Sequence, residues 1–257
     1  MQLFYREYGS GNPFILLHGL YGCSDNWVGF ARKLASECNL RVIVPDLRNH
    51  GQSPHDPLFT FEAMVGDLFE LIGLLNIEKP IVMGHSLGGK IILHALLQQR
   101  DFCQKAIIAD MGLRTYPPNF GHAEVLELMQ NHDLSECKSR KEVEALVSTH
   151  IPDSRLQQLV LKNVYWKNPE TLAWKLDAKA IGNHLSEVFN GITYSQPIEV
   201  PTIFIKAMQS GYINEEDRAL IEANFTNAIV LEVPEAGHWL HVDNPEGFFS
   251  SVKTMVG

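Results

Sequence analysis

The sequence predicts an α/β fold, a mostly parallel central sheet with helices on both faces. Three observations carry this reading. Short aliphatic runs alternate with longer stretches of helical periodicity. The runs have few polar breaks, as strands do when both faces are covered. Glycine-rich or polar turns follow several of them, at the strand ends where open α/β sheets gather ligands.

The elements follow in order. Leu3 to Tyr8 alternates and reads as an edge strand. Phe14 to Leu17, Arg41 to Pro45, Ile81 to Met83, Ala106 to Ala109, Thr202 to Ile205 and Ala228 to Val233 read as buried strands. Phe61 to Leu75 places Met64, Leu68, Leu71 and Leu75 at helical spacing. Asn214 is placed to cap a helix from Glu215, with acidic residues in its first turn. Asn244 caps the last helix, with Pro245 at its first position and Phe248, Phe249, Val252 and Met255 on its apolar side.

One stretch breaks the alternation. From about 113 to 196 the pattern reads as helical throughout. Ser139-Arg140-Lys141-Glu142 forms a capping box, and Asn168-Pro169 reads as another helix start. The expectation is a single domain over 1–257, with a helical cap inserted before the penultimate strand.

Composition narrows the function classes. The chain has 257 residues and a formal charge of −9, from 21 basic and 30 acidic side chains. That balance argues against a nucleic-acid or anionic-membrane surface, which needs clustered positive charge. Cys23, Cys38, Cys103 and Cys137 form no CxxC pair and read as reduced thiols. The first residues lack a basic segment followed by an apolar one, and no apolar run approaches a membrane span. A cytoplasmic location without stable membrane insertion is expected by default, as a monomer or small homo-oligomer.

The strongest chemical signal is Gly84-His85-Ser86-Leu87-Gly88-Gly89, between the strand at 81–83 and a helical run from Lys90. This fits G-x-S-x-G in the strand–turn–helix context of a nucleophile elbow. So tight a turn excludes flanking side chains, hence Gly84 and Gly88. The plain alternative is a glycine-rich turn with an idle serine. A serine nucleophile needs a base. His238 in Ala236-Gly237-His238-Trp239 follows the last strand, on a loop at the carboxyl end of the sheet. The chain has 11 histidines; most are expected at the surface, and His241 is expected to be structural. An oxyanion needs donors. His18-Gly19-Leu20-Tyr21-Gly22 follows the second strand, and the backbone N–H groups of Leu20 and Leu87 are the candidates.

The order HGLYG, DLRNHGQS at 46–53, GHSLGG and AGHW resembles the α/β-hydrolase superfamily over essentially the whole chain apart from the cap. PDLRNHGQS with GHSLGGK looks especially like the small bacterial YbfF-type esterases and their mitochondrial relatives. The resemblance implies hydrolysis of carboxylic esters or acyl thioesters by a catalytic triad, on a small-molecule substrate and without a cofactor. No cluster with metal-ligand spacing is visible.

The acid departs from the commonest pattern. Most members of the superfamily place an Asp after the strand that follows the cap. Here Ile205 to Tyr212 contains no carboxylate. Asp110, after the strand at 106–109, is one alternative, and the resemblance to the YbfF-type branch supports it. The acidic cluster Glu215, Glu216 and Asp217 is the other. Either serves if it reaches the second ring nitrogen of His238.

Weaker candidates complete the reading. Asp46, Arg48 and His50 are expected to fix their own loop. Tyr21, Trp27 and Trp239 are candidates for the substrate pocket. Lys90 reads as a solvent-facing helix residue. Phe120, Leu126, Met129, Trp166 and Trp174 either face the substrate or pack together. Several rivals share the fold. A carbon–carbon bond hydrolase or lyase for a carboxylated substrate needs a cation, for which Arg114, Arg140 and Arg155 are available. A perhydrolase replaces water with peroxide, and a receptor reuses the fold without turnover. A haloalkane dehalogenase is disfavoured by the serine at the nucleophile position.

Overall fold

The computed structural model describes residues 1–117 and 123–256. In chain order come β1 (Tyr5–Tyr8), β2 (Asn12–Leu17), α1 (Val28–Cys38), β3 (Leu40–Pro45), α2 (Phe61–Leu74), β4 (Ile81–His85), α3 (Leu87–Gln98) and β5 (Lys105–Ala109). Then follow α4 (Ala123–Asn131), α5 (Arg140–His150), α6 (Ser154–Leu161), β6 (Val164–Asn168), β7 (Thr171–Trp174) and α7 (Ala178–Val188). The chain ends with β8 (Thr202–Ala207), α8 (Glu215–Asn224), β9 (Ala228–Val233), α9 (Leu240–Asp243) and α10 (Pro245–Val256).

Seven strands form one sheet in the order β1-β3-β2-β4-β5-β8-β9. Only β1 runs antiparallel, along β3. The others pair in parallel, β5 beside β8 with Ala109 opposite Ile205. That pairing brings together strands almost a hundred positions apart in the chain.

Side chains alternate across the sheet. Phe14 and Leu16 join one apolar core with Trp27, Leu34 and Phe248. Ile15 and Leu17 join the other with Leu68, Leu71, Ile91 and Phe204. Full burial of each such side chain contributes about 1.5–3 kcal/mol before chain entropy is subtracted. The helix caps follow the sequence. Asn214 accepts the Asp217 amide, and Asn244 accepts the Gly247 amide at 2.9 Å. Ser139 likewise accepts the Glu142 amide, but the Glu142 carboxylate reaches back to the Lys138 amide, so the box closes one residue early.

Two expectations need correction. The segment between β5 and β8 is not helical throughout. Asn168-Pro169 is the turn of a hairpin joining β6 and β7, and the Glu170 amide bonds Asn168 Oδ1 at 2.9 Å. Such an Asx turn competes with helix initiation. Lys90 is not solvent-facing but fully buried. Helix α3 is buried along Leu87 to Leu93, so it has no wet face there to hold a lysine. No helix of the described residues is long and apolar enough to cross a membrane.

Candidate active site

Ser86 sits between β4 and α3 with φ 52° and ψ −116°. This is a strained backbone for a residue with a side chain, costing on the order of 1–3 kcal/mol. The surroundings enforce it. A Cβ on Gly84 would overlap the Gly88 backbone, and one on Gly88 would overlap the Leu17 carbonyl. The Ser86 amide is held by the Ala109 carbonyl at 3.0 Å. Its own carbonyl accepts the Lys90 amide at 3.0 Å and opens α3.

Asp110 caps the carboxyl end of β5 with φ 48° and is fully buried. Its Oδ2 accepts from His238 Nδ1 at 2.8 Å. Three more bonds fix it: Ala207 N to Oδ1 at 3.1 Å, Ser210 Oγ to Oδ2 at 2.5 Å, and its own amide to the Ile205 carbonyl at 2.8 Å. With Nδ1–H committed to a carboxylate, His238 keeps Nε2 as its basic atom. The ring stacks on Tyr212 with centroids 4.0 Å apart and planes 14° apart. His85 Nε2 donates to the His238 carbonyl at 2.7 Å. Burial holds His85 well below the ordinary histidine value, with His238 and His241 adding to the fall.

The alternative acids lie elsewhere. Asp217 is buried, but its carboxylate binds Arg114 Nε at 2.8 Å and the amides of Leu113 and Arg114. Glu215 and Glu216 are exposed in the first turn of α8.

The turn at residues 19–22 closes through Gly22 N to Gly19 O at 3.0 Å. A Cβ on Gly19 would stand 3.3 Å from Ser86 Cβ, so this turn lies against the elbow. Two buried histidines hold it. His18 accepts the Leu47 amide on Nε2 and donates from Nδ1 to the Gly19 carbonyl. His50 accepts the Tyr21 amide on Nε2 and donates to the Arg48 carbonyl. The loop after β3 is fixed as expected, with Asp46 accepting the Ser24 and Gln52 amides and Arg48 pairing twice with Asp67. Of the ten described histidines only His55 and His150 are exposed, which corrects the expectation that the histidines lie mostly at the surface.

A cavity of about 280 Å³ opens over this arrangement. Ser86, His238, Leu20, Tyr21, Trp27 and Trp239 line it, as does His241, whose ring stacks on Trp27 at 4.1 Å. Helix α6 supplies Leu156 and Leu159, with Asp153 at its cap. A second, much smaller space lies against Ser86, Leu20 and Leu87, walled by Val188 and Phe189 at the end of α7. Among the described residues, no lysine or arginine lines either space. Leu126, Met129, Trp166 and Trp174 line neither, and Phe120 falls outside the described residues. Sequence reasoning misses Ser210, Tyr212, Leu156 and Leu159. The i, i+3 spacing of the two leucines is the available signal.

A family profile described as alpha/beta hydrolase fold matches residues 12–245. The chain belongs to the α/β hydrolase fold family. This hydrolase is 30% identical over 253 residues to the sn-1-specific diacylglycerol lipase ABHD11 of Danio rerio, covering 96% of this chain and 79% of that protein. It is 27% identical over 247 residues to the esterase YbfF of Escherichia coli, covering 95% and 92%. A solved marine microorganism esterase is 36% identical, with TM-score 0.94 and 99% of both chains covered.

Proposed function

We propose that this chain hydrolyses carboxylic esters or acyl thioesters through an acyl-enzyme on Ser86. The observation that carries the reading is the Asp110–His238 hydrogen bond, 2.8 Å, beside a cavity that Ser86 and His238 both line. His238 Nε2 takes the Ser86 proton as the serine oxygen bonds to the acyl carbon. The Leu20 and Leu87 N–H groups receive the oxyanion. The Leu87 N–H belongs to the first turn of α3, where amides have no intrahelical acceptor. Collapse breaks the bond to the alcohol or thiol, which leaves with the proton from His238. A water molecule then gives a proton to His238 and attacks the acyl carbon; the bond to the Ser86 oxygen breaks, His238 returns the proton to that oxygen, and the acid leaves. No step calls for a metal or cofactor.

Residues 113–196 act in this reading as a cap, whose α6 supplies part of the cavity wall. The lining favours neutral, apolar substrates. Arg114 is held by Asp217, Arg140 by the Val164 carbonyl and Arg155 by Asp243. None of them lines the cavity, so the carbon–carbon hydrolase reading has no support from the lining.

A fluorophosphonate probe tests the proposal. It should label the wild-type protein at Ser86, while Ser86→Ala should take no label and lose nitrophenyl-ester turnover. Labelling elsewhere, or turnover that survives in Ser86→Ala, would overturn it.

A further inference from the structure

Tyr21 stands next to Leu20 and carries a left-handed φ of 63°. A side-chain-bearing residue persists there only when its surroundings hold it. Two contacts do so from opposite parts of the fold. Its N–H is accepted by His50 Nε2 at 3.3 Å, from the loop after β3. Its carbonyl accepts Asn163 Nδ2 at 2.8 Å, from the inserted segment. These residues are 142 positions apart.

Asn163 is itself tightly fixed. It is buried at the end of α6, with 1% of its surface exposed. Nδ2 also donates to the Leu159 carbonyl at 3.0 Å, its amide donates to the Val160 carbonyl at 2.9 Å, and its carbonyl accepts the Lys175 amide at 2.7 Å. Both acceptors of Nδ2 are carbonyl oxygens, which assigns the amide orientation. Asn163 thus ties α6, whose leucines wall the cavity, to the turn that carries the Leu20 N–H.

We infer that Asn163 is a positioning residue for the oxyanion hole, coupling the seating of the inserted segment to the orientation of the Leu20 amide. The inference rests on the Ser86 mechanism above. With the cap seated, the Tyr21 peptides are held on both sides and the turn at 19–22 has one orientation. With the Asn163 bond absent, the Tyr21 carbonyl rotates more freely and the neighbouring donor loses its aim. The loss falls on the transition state, because an oxyanion depends on the direction of its donors more than a neutral carbonyl does.

The test uses Asn163→Leu, which keeps the branched shape and removes the donor. Active sites are counted by fluorophosphonate labelling. Turnover per active site of a nitrophenyl ester should fall about ten- to a hundredfold, with KM changed less than threefold. A trifluoromethyl ketone, which forms an oxyanion on Ser86, should bind more weakly by the same factor as kcat/KM falls. The corresponding secondary alcohol, which forms none, should bind as before. Trp174→Phe removes a bond to the His132 carbonyl within the same inserted segment and should leave all these values unchanged. Asn163→Ser, whose hydroxyl is too short to span to Tyr21, supplies the comparison if the leucine variant does not fold. Unchanged turnover per active site, or equal weakening of ketone and alcohol, would overturn the inference. A wild-type protein that takes neither label nor ketone at Ser86 would overturn the mechanism as well.

Discussion

Ser210 donates its hydroxyl to the same Asp110 oxygen that accepts from His238, at 2.5 Å and 2.8 Å. It does so from the segment after β8, where the commonest pattern of the family places an acid and this chain has none. The carboxylate that reaches His238 comes from the end of β5 instead, and a hydroxyl from beyond β8 holds it. Asp110→Asn should therefore lower kcat by about 10⁴, the effect of forcing the wrong histidine tautomer. Ser210→Ala should cost far less, about ten- to a hundredfold, as expected for one hydrogen bond to a charged group. Steady-state kinetics on a nitrophenyl ester measure both. A near-normal Asp110→Asn would remove Asp110 from the mechanism.

Lys90 makes a prediction about stability. Its Nζ is buried without a hydrogen-bond partner among the described residues, 5.0 Å from the centre of the Tyr116 ring. Burial pushes the ammonium down to about 7; Asp217 opposes the fall and Arg114 adds to it. In the unfolded chain the group titrates near 10.4. Between those values the unfolded state holds the extra proton, so wild-type stability rises with pH across that window. Lys90→Met should remove this slope. It should stabilise the fold most at pH 7 and below, by about 1–4 kcal/mol, the range seen when buried charges give way to apolar side chains. Thermal unfolding from pH 6 to 10 checks it, and an unchanged slope would contradict it.

Acid should act on the turn at 19–22, as it does on the buried His85, His94 and His241. Burial lowers His18 to about 4, with the Gly19 carbonyl opposing. Burial and then the charge of His18 lower His50 to about 3. Both titrate near 6.5 when unfolded, so the unfolded state gains protons first as pH falls from 6.5. Stability from these rings is complete above 6.5 and is lost as pH falls toward 3 to 4. Protonated rings can no longer accept the Leu47 and Tyr21 amides. Unfolding midpoints should drop steadily from pH 6.5 to 4, and His50→Gln should reduce that slope.

In the proposed reaction the apolar wall contributed by α6 holds the substrate. Leu159→Ala removes three carbon atoms from the cavity lining. At about 0.8 kcal/mol per buried methylene, KM for an apolar ester should rise roughly four- to sixtyfold with kcat nearly unchanged. A fall in kcat without a rise in KM would place the substrate away from α6.

The elbow is legible in the amino-acid order because its causes lie within a few residues. A strand, a turn too tight for side chains and a helix start demand Gly84, Ser86 and Gly88 together. The capping positions at Asn214 and Asn244 are legible for the same reason. The burial of Lys90 is not, because a helix packed on all sides carries no periodic mark of where water is. The hairpin at residues 164–174 is not legible either. Its apolar residues also fit a helical spacing, and only strand pairing distinguishes the two.

The order of the strands is likewise beyond local reading, and much of the chemistry depends on it. The amino-acid order by itself determined the turn that carries Ser86, the histidine loop and the alternation that builds the sheet, since each is set by sterics between near neighbours. Tertiary structure decided which carboxylate meets His238, which leucines line a cavity with Ser86 and that Asn163 reaches Tyr21. Those contacts join residues far apart in the chain, and their geometry comes from β5 lying beside β8 and from the inserted segment folding back over the strand ends.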